Sequence, residues 1–161
     1  MPLKLFICLL GLVSLPTLAA PPVLQQQEVS LALAQDLINE TLRQCQAQGR
    51  DAVVAVVDRG GNLVALQRAD NIGPHNSLAA QRKAYTALST KTKTSELAER
   101  ARTTPTAQNL VTLPELLLLG GGLPLKVQGQ VIGAIGVAGT GSADADDQCA
   151  LRAIAKLLPN S

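Results

Sequence analysis

The chain has 161 residues, a formal net charge of +2 and almost no aromatic side chains: one Tyr, one Phe and no Trp. That charge is no electrostatic footprint for nucleic acid or an anionic membrane, and base stacking lacks the aromatic platforms it needs. The core must be built from Leu, Ile, Val and Ala, which brings elements close together.

Met1–Ala20 reads MPLKLFICLLGLVSLPTLAA. Lys4 gives a positive start, and Leu5–Leu15 is an apolar run too short for a comfortable membrane span. Thr17-Leu18-Ala19 places small residues where a signal peptidase reads them, so residues 1–19 are expected to be a secretory signal peptide. An uncleaved anchor is the competing reading. Cys8 lies inside the apolar run and away from the cleavage point, which disfavours a lipoprotein. The expected location is periplasmic or secreted, with no membrane insertion after cleavage. About 140 residues then remain, the size of one domain. Residues 20–27 form a loose lead-in and residues 28–158 the domain.

Glu28–Gln48 is predicted as a helix, with Leu31, Ala34, Ile38, Leu42 and Cys45 on one face, Ser30 as N-cap and Gly49 as stop. Ala52–Asp58 is a continuous β-branched run, the pattern of a strand covered on both faces. Arg59-Gly60-Gly61-Asn62 is turn chemistry leading to a return strand, Leu63–Arg68. Asp58 is placed to accept N–H groups of that turn. Ala69–Asn76 is a loop holding His75, the single histidine. Ser77–Ser89 is a helix with Ala80, Ala84 and Leu88 inward and Gln81, Arg82 and Lys83 outward. Thr94 caps a short helix over Ser95–Arg102, and Thr103–Val111 is irregular. Glu115–Leu119 is predicted as a strand. After the Gly120–Pro124 turn, Leu125–Val127 and Gln130–Ala138 form a hairpin. Ala143–Leu158 is the last helix, with Asp144, Asp146 and Asp147 in its first turn. The order α-β-β-α-(α)-β-β-β-α, with strands two to four residues apart, argues for an α+β domain with an antiparallel sheet.

Cys45 and Cys149 survive signal removal, and both fall on apolar helix faces. They are either bridged or two buried free thiols. Gly139-Thr140-Gly141 sits between a strand and a helix as a phosphate loop would. Asp144 stands where a third glycine belongs, however, and no G-K-[ST] is present. No G-x-S-x-G elbow accompanies His75. One His and two scattered Cys make no zinc site. Haem needs a single axial ligand and an apolar slot. His75 is the one strong ligand expected on an exposed loop, and Arg82 and Lys83 are near enough in sequence to pair with propionates. The competing reading of His75 is a solvated loop side chain.

Several segments in this order resemble the GlcG/HbpS family, whose members are often described as haem-binding or haem-degrading. They are Val56–Leu66, VVDRGGNLVAL; Arg82–Ala87, RKAYTA; Gly120–Pro124, GGGLP; Gly129–Gly139, GQVIGAIGVAG; and Asp146–Ala150, DDQCA. The resemblance spans about residues 28–158. It implies a profilin-like fold with a five-stranded antiparallel sheet, homo-oligomers, and a relation to the C-terminal domain of PduO-type proteins, which bind haem or corrinoid. Some secreted members of the family sense haem with a membrane kinase. Where many members have Met-Asp-Gly after the first hairpin, this chain has Ala69-Asp70-Asn71, and no axial ligand carries over by motif.

The reading is an exported binder of a tetrapyrrole, haem b or else a corrinoid, that serves as carrier, scavenger or accessory to a membrane sensor or transporter. His75 is assigned as the axial ligand, Arg82 and Lys83 as propionate partners, and Gly120, Gly121, Gly122 and Pro124 as a backbone wall against the ring. No residue pair supplies an evident acid, base or redox centre, so binding is favoured over catalysis. The alternatives are an oligomeric accessory protein without native haem, its glycines serving subunit packing, and an enzyme acting on a small metabolite.

Overall fold

The structure, a computed structural model, describes residues 22–158; the expected signal peptide lies outside them. Helix α1 (Leu31–Gln46) leads into β1 (Val53–Val57) and β2 (Leu63–Arg68). Helices α2 (His75–Thr90) and α3 (Thr94–Thr103) and a 3-10 segment (Pro105–Thr112) follow. Strands β3 (Gly122–Val127) and β4 (Gln130–Ala138) and helix α4 (Ala143–Leu157) complete the chain. The sheet is antiparallel in the order β2-β1-β4-β3.

The sheet is the middle of three layers. Alternate residues of its central strands face α1 and α4, where Leu37, Ile38, Val54, Val56, Ile135 and Val137 form one core. The opposite faces, Val53, Ala55, Val57, Ala134 and Ala138, meet Ala80, Ala84 and Ala87 of α2. All five residues of β1 are buried, as a continuous apolar run requires. On the α2 side the helix contributes alanines, which meet Val, Ala and Gly of the sheet. A Cβ at Gly136 would run into the carbonyl oxygen of Ala80, so the helix lies almost on the strand backbone.

Ser30 caps α1, its hydroxyl accepting from the Leu33 N–H at 3.2 Å. The buried face of α1 is Ala34, Leu37, Ile38, Thr41 and Cys45, while Leu31 is exposed. In the β1–β2 turn, Asp58 Oδ1 accepts from the backbone N–H of Gly60 at 2.8 Å and of Asn62 at 2.9 Å. Desolvation, the largest single influence, acts to raise the Asp58 pKa. The hydrogen bonds from Asn62, Gly60 and Gly61 together outweigh it and hold the carboxyl below its ordinary value.

Among the described residues the sheet has four strands rather than the five expected. The segment expected as a strand, Glu115–Leu119, is irregular. Several of its polar groups are taken outside any ladder: Arg82 Nη2 donates to the Leu116 carbonyl at 2.8 Å, as to that of the preceding Pro114 at 2.6 Å, the Leu117 N–H donates to Thr86 Oγ1 at 2.8 Å, and Thr94 Oγ1 donates to the Leu119 carbonyl at 2.8 Å. These bonds stand in place of strand pairing. Cys45 and Cys149 are joined as a disulfide between α1 and α4, with Cα atoms 5.2 Å apart.

Candidate functional site

His75 opens α2 instead of preceding it, because Gly73-Pro74 already starts the turn. Pro74 has φ −61° and the Asn76 N–H donates to the Gly73 carbonyl at 3.1 Å. The imidazole is exposed, lies over Gly73, and has no hydrogen-bond partner among the described residues. It stands at a cleft of about 430 Å³ between the start of α2 and the β4–α4 loop. Asn76, Ala79, Leu119, Ala138, Gly139 and Ala143 supply its walls. Two helix N-termini, those of α2 and α4, converge there, and both favour negative charge.

The charged part of the cleft is a buried ion pair. Lys83, only 2% exposed, places Nζ 2.7 Å from Asp146 Oδ2 and donates to the Val137 carbonyl at 2.9 Å. The other oxygen of Asp146 accepts from Thr140 Oγ1 at 2.7 Å and from the Thr140 N–H at 3.2 Å. Each charge is thus matched and hydrogen-bonded, the condition under which burial is tolerable. The pair fixes α2 to the first turn of α4 and sets the depth of the cleft.

This revises three of the sequence assignments. Lys83 points inward and is spent on Asp146, so it is not an outward propionate partner. Arg82 is spent on the carbonyls of Pro114 and Leu116 and lines a different depression, beside Tyr85 and Glu115. Gly120, Gly121 and Gly122 are buried in protein instead of lining a cavity. The Gly121 N–H donates to Asp147 Oδ1 at 2.7 Å and the Gly122 N–H to Thr94 Oγ1 at 2.8 Å. A Cβ at Gly121 would press on Asp146 Cβ at 2.9 Å, and one at Gly122 on Thr94 Cγ2 at 2.6 Å. The glycines let α2, α3 and α4 close over the chain. Pro124 is half-buried within β3 and apart from His75.

Sequence reasoning missed Asp146, Asp147 and Thr94 as the partners that organise this region. Lys93 adds a second pair with Asp147 at 3.2 Å. It also missed Arg50, whose guanidinium donates to the Thr140 carbonyl and adjoins Gly141 at the cleft. A signal for Lys83 was present: positions 80, 83, 84 and 87 share one helical stripe, and three of the four are alanine.

Among the described residues no three His, Cys, Asp or Glu side chains gather to hold a metal ion. An iron held by a porphyrin asks less of the protein, since one imidazole nitrogen suffices on one side. His75 fits that demand with an accessible, unengaged ring.

Comparison with known proteins agrees with the architecture. Protein GlcG of Escherichia coli K12 is 37% identical over 109 residues, which is 68% of this chain and 80% of GlcG. The crystal structure of a double mutant of HbpS from Streptomyces reticuli superposes with a TM-score of 0.79 at 37% identity, covering 91% of this chain and 98% of HbpS. A crystal structure described as a PduOC:heme complex gives a TM-score of 0.72 at 28% identity, over 80% of this chain and 94% of the other. Residues 29–155 match the family described as haem degrading protein HbpS-like. The chain belongs to the HbpS-like family.

Proposed function

We propose that this protein binds a haem-type tetrapyrrole at the His75 cleft and serves as a carrier, scavenger or sensor accessory outside the cytoplasm. The observation that carries the reading is the likeness, at 28% identity, to a structure that holds haem. Within this chain it is supported by the free imidazole at the edge of a cleft of about 430 Å³, within the size range of small-molecule sites.

The bound group would supply an iron centre for ligation. The chain's own residues would do the rest. His75 offers a ring nitrogen to the metal. Ala79, Leu119, Ala138 and Ala143 present small and aliphatic surface to a planar apolar ligand. Arg50 takes over the role first given to Arg82 and Lys83: it lies at the cleft's edge beside Gly141 and outside its lining, and a carboxylate there would meet the guanidinium N–H groups not donated to the Thr140 carbonyl. No step of bond breaking is assigned to these residues.

The test is a hemin titration of purified mature protein followed in the Soret region. A saturable, shifted band is expected for wild type, with loss or a marked shift of the band in His75→Ala and weaker binding in Arg50→Gln. No saturable band in wild type overturns the haem reading. An unchanged band in His75→Ala overturns the ligand assignment alone. Export is tested by cell fractionation of the tagged full chain, with N-terminal sequencing expected to begin at Ala20. Self-association is tested by light scattering of the eluted species, with a homo-oligomer expected.

A further inference from the structure

A second cavity, of about 610 Å³, lies at the other end of α2 and plays no part in the His75 cleft. It is bounded by Leu24–Gln26 of the lead-in, the C-terminal end of α2, Arg59 from the β1–β2 turn and Gly129–Val131 from the β3–β4 turn. Its charged lining residues are Arg59 and Lys91. Two carboxylates lie nearby but outside the lining and are engaged with backbone: Glu28 Oε1 accepts from the N–H of Arg59 at 3.1 Å, and Asp58 Oδ1 accepts from the N–H groups of its own turn.

The Arg59 side chain is held by its surroundings, whereas Lys91 is fixed through its backbone alone. Arg59 is half-buried, and its Nη1 donates to the Val131 carbonyl, which leaves the other guanidinium nitrogens without a partner among the described residues. Lys91 ends α2 in the left-handed conformation, φ 52° and ψ 26°, with its N–H on the Leu88 carbonyl at 3.3 Å. Glycine is the cheaper residue at such a helix end. The remaining surface combines Leu24, Leu88 and Val131 with the carboxamides of Gln25, Gln26 and Gln130. Apolar walls, neutral polar groups and two cations suit a ligand with an apolar body and an anionic head. The carbonyls ending α2 lie on the same wall and oppose an anion, so its head group depends on the positive charges of Arg59 and Lys91.

We infer that this cavity binds an amphipathic organic carboxylate, with Arg59 and Lys91 holding the head group and Leu24, Leu88 and Val131 the body. The chain's own lead-in forms one wall, so the site is complete only when residues 24–26 lie along the domain. The inference is independent of the haem reading and survives its failure.

Octanoate is the probe, titrated by calorimetry into the mature protein, with octylamine and 1-octanol as cationic and neutral controls. One saturable octanoate site is expected, with neither control binding comparably. Lys91→Glu should weaken octanoate by about tenfold or more, the loss of one charge-assisted contact. Leu24→Asp should weaken it through the wall, and His75→Ala should leave it unchanged. Lys91 is exposed, so its replacement leaves the fold intact, which the far-ultraviolet dichroism checks. The inference is overturned by the absence of saturable octanoate binding, by equal affinity in Lys91→Glu, by comparable binding of octylamine, or by loss of binding in His75→Ala.

Discussion

At the scale of single residues, the most consequential side chain is Lys83. Removing one partner of a buried ion pair strands the other charge, which costs about 3–5 kcal/mol. Lys83→Met is therefore expected to lower unfolding free energy by about that amount in urea titrations. Pairing it with Asp146→Asn should recover part of the loss, because the stranded charge is gone while Thr140 keeps an acceptor. Equal destabilisation in single and double variants would count against a coupled pair. Asp58 makes a different prediction. Its folded pKa lies below its ordinary value of 3.8, so its stabilisation is complete above that value and is lost as pH falls toward the folded pKa. Asp58→Asn keeps an acceptor oxygen but cannot titrate. Wild type should lose more stability than this variant on acidification below pH 3.8, and parallel acid profiles would exclude the effect.

At the scale of elements, β1, β2 and β4 and all four α-helices were legible in the sequence because period and turn chemistry agreed. The β-branched run of β1, the Gly60-Gly61-Asn62 turn and the cap at Ser30 each specify local structure by themselves. Glu115–Leu119 was not legible. A run of four leucines reads as a strand, and only the tertiary structure shows its carbonyls taken by the guanidinium of Arg82. The fate of Lys83 was half legible: its stripe pointed inward, but charge argued for solvent, and the deciding Asp146 is 63 residues away. His75 and the Gly120–Gly122 cluster were both singled out for a ligand role, and only His75 stands at the cleft. The glycines proved to serve packing because their neighbours come from three other helices. Packing of α2 supplies the prediction at this scale. Gly136→Ala places a methyl group against the Ala80 backbone, and displacing the helix should cost about 1–3 kcal/mol. Thermal unfolding checks it, and a wild-type midpoint would mean that α2 yields without penalty.

At the scale of the whole molecule, the first and last helices, which share one face of the sheet, are tied together by the buried Cys45–Cys149 bridge, across a sequence separation of 104. A bridge enclosing so much chain restricts the unfolded ensemble strongly. Its loss in Cys45→Ala/Cys149→Ala, or under reduction, is expected to cost about 2–5 kcal/mol. Comparison of oxidised and reduced protein in guanidinium measures this, and coincident transitions would show that packing of α1 on α4 holds the fold by itself. Because α2 lines one cavity with its first residues and the other with its last, both proposed sites share one rigid support.

The same bridge also sets an order of events. Cys149 belongs to the last helix and Cys45 to the first, so this bridge cannot close in a chain that has emerged only as far as β4. In an oxidising compartment, early exposure of Cys45 leaves a lone thiol able to react with foreign thiols until α4 arrives. In the folded chain, with α4 in place, Cys45 is fully buried, so the arrival of the last helix both pairs that sulfur and completes its cover. The first helix thus carries a sulfur that only the last helix claims.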